Sequence, residues 1–86
     1  MSELLLVVEE SFASRRDALV LPRFELRAGA PLKVEVRLRL PDGTDRRATA
    51  TIDVAHVRGD RPPFAMYRFP GIAVEDIPPG TEIWSL

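Results

Sequence analysis

The chain contains no cysteine, no asparagine and no glutamine, and only one histidine and one lysine. Without cysteine there is no disulfide scaffold, no thiolate-ligated zinc and no thiol nucleophile. The lone histidine, His56, could serve as a metal ligand or base only with the flanking acids Asp53 and Asp60. One histidine and two acids specify a zinc or hard-cation site poorly, so the plain reading is an ordinary polar residue near a strand bulge. Long apolar runs are missing too. Leu4 to Val8 is preceded by Glu3 and followed by Glu9-Glu10, and no positive charges lead it, so it matches neither a secretory h-region nor a membrane span. A cytoplasmic protein with no membrane partner is expected. Excess charge of one sign is also lacking: Lys+Arg 12 against Asp+Glu 13 leaves a formal charge of -1. That excludes a globally basic protein held on nucleic acid by phosphate neutralisation alone.

What is present fits one small soluble domain over residues 1–86, with 45% hydrophobic and 29% charged residues. Eight prolines and five glycines cut the chain into short pieces. Pro22, Gly29-Ala30-Pro31, Pro41-Asp42-Gly43, Pro62-Pro63, Pro70-Gly71 and Pro78-Pro79-Gly80 recur at the spacing of strands joined by turns. No window carries the i, i+3, i+4, i+7 spacing of a substantial helix. In Leu32 to Leu40, five apolar residues alternate with Lys33, Glu35, Arg37 and Arg39, which predicts a strand with one dry face. Pro41-Asp42-Gly43 then turns the chain into a return strand with Ala48, Ala50, Ile52 and Val54 inward. Further strands are expected at Leu4 to Glu9, Ala18 to Leu21, Phe24 to Arg27, Phe64 to Phe69 and Thr81 to Trp84, with one helical turn at Val74 to Ile77. Such a chain is all-β. Six to seven short strands favour a small closed or partly open antiparallel β-barrel, which leaves few edges exposed.

The order of these features resembles the second domain of translation GTPases, the β-barrel that follows the GTP-binding domain in elongation factor Tu and its relatives. The resemblance is carried by Gly71-Ile72-Ala73-Val74-Glu75-Asp76-Ile77-Pro78-Pro79-Gly80-Thr81-Glu82-Ile83, by Leu26 to Val34 around Gly29, and by the opening Leu4 to Phe12. It implies a stand-alone barrel that contacts a protein or an RNA surface. No Gly-x-x-x-x-Gly-Lys-Ser/Thr loop is present, so nothing cradles a nucleotide's phosphates.

Candidate residues follow from charge placement. Arg15-Arg16, Arg46-Arg47, and Arg58 with Arg61 fall at expected loops or strand ends, where they could form a local basic patch despite the balanced total. Tyr67 lies in the strand after Arg61 and could stack on a base; the alternative is a core position for it and its Phe neighbours. Trp84 is expected to close the core, or else to mark an interface. Arg58-Gly59-Asp60 matches an integrin-binding tripeptide, which requires an extracellular setting and is read as coincidence. Ser11, Ser14 and Ser85 lack a nucleophile-elbow context, and Glu75, Asp76 and Glu82 sit near an expected surface corner. No catalytic residue, cofactor, metal or small-molecule substrate is expected. The expected function is a non-enzymatic binding module for a protein partner, or for RNA, through arginine-bearing loops. The alternative is an accessory subunit docking through an apolar edge to a separate factor or to itself.

Overall fold

Alternation in the sequence becomes a single curled sheet. The structure is a computed structural model that describes residues 2–25, 29–55, 59 and 64–86. Its strands are β1 (Leu4–Val7), β2 (Glu10–Ser14), β3 (Asp17–Glu25), β4 (Lys33–Arg39), β5 (Asp45–Ala55), β6 (Phe64–Phe69) and β7 (Glu82–Ser85). A 3-10 turn, Val74–Asp76, stands where the single helical turn is expected. All pairings are antiparallel, in the order β1-β7-β4-β5-β6-β3-β2. No helix among the described residues is long and apolar enough to cross a membrane.

Two consecutive strands, β1 and β2, form the opposite edges of this sheet, so the sheet must curl. Val8 is the hinge of the closure. Its N–H donates to the Thr81 carbonyl and its carbonyl accepts from the Gly80 N–H, both at 2.8 Å, while the Glu9 N–H donates to the Leu21 carbonyl at 2.8 Å. One extended segment thus hands over from β7 on one side to β3 on the other. The result is a partly open barrel, in which most strand edges are paired.

The period-two pattern decides which side faces in. Val36 and Leu38 on β4 are fully buried, as are Ala50 on β5, Ala65 and Phe69 on β6, Ala18 and Val20 on β3, and Ile83 on β7. Ile77 and Val8 cap the same core. Small side chains at Ala18, Ala48 and Ala50 let the curled sheet close tightly around Phe69 and Leu38. At the Pro41-Asp42-Gly43 turn, the Leu40 N–H donates to the Thr44 carbonyl and the Gly43 N–H to the Leu40 carbonyl. Asp42 accepts from both the N–H and the hydroxyl of Thr44, which holds its carboxyl below the usual aspartate range.

Several expectations change. The strand expected at Leu4 to Glu9 ends at Val7, and an additional strand, β2, runs from Glu10 to Ser14 before the Arg15-Arg16 turn. The pieces expected on either side of Pro22 join into one strand, β3, whose register shifts between Val20 and Phe24. Leu32 is 60% exposed rather than inward, because pairing with β5 starts only at Lys33. Trp84 is not a core residue either. Ile83 takes the inward position on β7, and alternation turns the indole to the outer face. The bulge expected around His56 lies outside the described residues.

Candidate functional site

Register places the turns at two rims. One rim carries the Arg15-Arg16 turn, the Pro41 to Gly43 turn, Pro70-Gly71 and the 3-10 turn. The other carries Glu25, Lys33, Ala55, Phe64 and Ser85. Arg58 and Arg61 lie outside the described residues.

Arg15 and Arg16 occupy the two-residue tip between Ser14 and Asp17. Both are exposed, and neither forms a salt bridge among the described residues. Arg15 has φ 60, a backbone region that favours glycine. A groove of about 220 Å³ lies beside this tip, bordered by Ile72, Ala73, Val74 and Glu75. Arg46, whose backbone lies opposite Leu38, reaches toward the same rim, with a guanidinium nitrogen 4.0 Å from Asp76. Arg47, its neighbour, is on the outer face opposite Arg37. The structure therefore brings Arg15, Arg16 and Arg46 to one rim and sends Arg47 elsewhere.

Tyr67 is a core residue. It is buried, with its ring centroid 4.7 Å from that of Phe24. Burial pushes its phenol above the ordinary tyrosine value. With Phe24, Pro31, Val34 and Ile52 it lines an apolar recess of about 210 Å³ at the second rim.

The strongest electrostatic feature on the sheet was not singled out by the sequence reading. Arg68, on the outer face of β6, donates from Nε to both Asp53 oxygens at 3.0 and 2.9 Å, and from Nη2 to Asp53 Oδ2 at 2.7 Å. Its Nη1 donates to Asp17 Oδ2 at 3.0 Å and Nη2 to the Ser14 hydroxyl at 3.3 Å. Hydrogen bonds to the two carboxylates hold the guanidinium far above the usual arginine range. Asp17 also accepts from the Gly71 N–H at 3.0 Å, and that bond leads, ahead of Arg68, in holding its carboxyl below the usual range. The network ties β2, β3, β5 and β6 together and leaves Arg68 no spare charge for a ligand. It is structural.

The remaining polar candidates are likewise occupied in holding the fold. The Ser11 hydroxyl donates to the Ile77 carbonyl at 2.7 Å, and Ser85 Oγ accepts from the Glu3 N–H at 2.8 Å. Glu82 accepts from the Trp84 indole N–H at 2.9 Å. Among the described residues no three His, Asp or Glu side chains come close enough together to hold a metal ion, and His56 and Asp60 lie outside those residues.

Alternation could have revealed the outward position of Trp84, since Thr81 and Ile83 share the inward parity. The Arg68 network joins residues 15 and 51 positions apart in the chain, which no local pattern reports. No protein-family model matches this chain, and neither the curated proteins nor the solved structures yield a match.

Proposed function

We propose that this chain is a non-enzymatic binding module, a barrel of the kind found as the second domain of translation GTPases, that engages an anionic partner surface through arginine-bearing turns. One observation carries the reading. The Arg15-Arg16 tip holds two exposed arginines with no salt bridge among the described residues, one of them at a backbone position where glycine would be the relaxed choice. Local strain kept at an exposed charged turn favours a role for the side chain over a role in folding. The reading includes a cytoplasmic setting, action without cofactor or metal, and a protein partner first, with RNA the other surface an arginine tip suits.

Replacing Arg15 and Arg16 together by alanine tests it. The variant should melt as the parent does, and should lose retention of its partner from a cell extract and of immobilised RNA. Unchanged retention of both sinks the proposal.

A second reading rests on a different edge. Leu4, Leu5 and Val7 are exposed on β1, which among the described residues pairs only with β7, so an accessory subunit could add its own strand there. Sedimentation across a wide concentration range tests the self-associating form, and a strict monomer excludes it.

A further inference from the structure

One row across the outer face combines aromatic and cationic groups. Leu4 on β1 lies opposite Trp84 on β7, Trp84 opposite Arg37 on β4, and Arg37 opposite Arg47 on β5. Adjacent strands are spaced about 4.8 Å apart, so the row spans roughly 15 Å from apolar end to cationic end.

Three features set this row apart from the charges around it. Neighbouring Arg39 is bonded to Asp45 at 3.1 Å, and Glu35 accepts from the Thr49 hydroxyl at 2.7 Å. Arg37 and Arg47, by contrast, have no carboxylate partner among the described residues. They stand directly opposite each other, an arrangement of like charges that opposes sheet pairing. Arg37 Nε is also shielded from solvent with no hydrogen-bond partner among the described residues, an unfavourable state for a charged donor. Its guanidinium carbon lies 6.0 Å from the Trp84 ring centroid.

Trp84 is only partly buried, and its one polar atom is already satisfied by Glu82. The indole therefore has no hydrogen bond to offer, and its exposed part is ring surface beside the Arg37 guanidinium, which lies over the ring. A planar base is the group that uses such a face, while an acidic peptide would use the two arginines and leave the indole idle.

We infer that the Trp84–Arg37–Arg47 row is a site for single-stranded nucleic acid, with a base stacked on Trp84 and the adjoining phosphates on Arg37 and Arg47. The inference deepens the binding-module reading and rests on it. It names the ligand class and adds a surface separate from the Arg15-Arg16 tip.

Trp84 is the only tryptophan, so its fluorescence reports on the site directly. The probe is an oligouridylate of about ten nucleotides, within the span a small β-domain covers. Its addition should quench Trp84. Two phosphate contacts on a single strand predict about sevenfold weaker binding between roughly 50 and 200 mM salt. Arg47→Gln, at an exposed position, should weaken binding measurably while the protein still melts as the parent does. Trp84→Ala should weaken it about 5- to 150-fold, the range for losing one base stack.

Unquenched fluorescence while the oligonucleotide still binds through Arg15 and Arg16 overturns the inference and leaves the module reading standing. Equal quenching by polyglutamate assigns the row to an acidic protein and also overturns it. Loss of all oligonucleotide binding in the Arg15→Ala, Arg16→Ala variant, with Arg47→Gln unaffected, does the same. Quenching that survives in that variant and fails in Arg47→Gln supports the site.

Discussion

Arg68→Met is the substitution whose outcome the structure constrains most tightly. Methionine keeps the apolar stem of the arginine and removes the guanidinium that joins Asp53, Asp17 and Ser14. An exposed ion pair contributes under about 1 kcal/mol, whereas removing one partner of a buried pair costs about 3–5 kcal/mol. The Arg68 side chain is 20% exposed, Asp17 24% and Asp53 37%, so solvent screens the network only in part. The two-pronged contact with Asp53 raises the value above that of a simple surface pair. We expect a loss of about 2 kcal/mol. For a domain of this size that is a fall in Tm of roughly 8–16 °C. Thermal unfolding followed by circular dichroism measures it, and a loss under about 0.5 kcal/mol would refute the reasoning. Acid titration supplies an independent check. Asp17 is held below its ordinary value of 3.8, so its contribution is complete above that pH and is lost as pH falls through the lower folded value. Arg68→Met should shrink that acid-dependent loss without abolishing it, because the Gly71 N–H bond to Asp17 remains.

Three further outcomes are expected. Tyr67, the only tyrosine, is held neutral by burial, so its stabilisation is complete below the ordinary value of 10.0 and is lost as pH rises through the higher folded value. Its ultraviolet titration should show half-ionisation above pH 10, and a midpoint at or below that value contradicts the burial. Phe69→Ala should cost about 3–5 kcal/mol in a domain of this size whose whole stability is on the order of 4–13 kcal/mol, and a loss under about 1.5 kcal/mol in denaturant titration would mean Phe69 is not central to the core. Arg15→Gly should raise stability by about 0.5–1 kcal/mol by relieving the positive φ, and at the same time weaken partner binding; a destabilised variant would contradict that backbone geometry.

Much of the fold was legible because its code is local. Val34, Val36 and Leu38 alternate with charges, and a turn with glycine at the positive-φ position follows, so the β4–β5 hairpin needed no knowledge of the rest of the chain. The 3-10 turn before Pro78 was legible for the same reason. β2 was not, since Glu10 to Ser14 carries only a weak alternation and earns its place by pairing with β3. The candidate site was half legible. Arg15 and Arg16 stand on a turn, as expected, whereas Arg46 and Arg47, expected at a loop or strand end, lie inside β5, where alternation sends them to opposite faces.

The sequence by itself determined an all-β chain, its main hairpin and the inward parity of most strands, because side-chain alternation and turn chemistry act over a few residues. Only the tertiary structure decided which charges are satisfied. Arg68 is one of eleven arginines in the sequence, yet the strands on either side of β6 bring Asp17 and Asp53 to it, while Arg37 and Arg47 meet each other with Trp84 beside them. Strand order and register make that distinction. They are fixed by where the core closes, which depends on the whole chain at once.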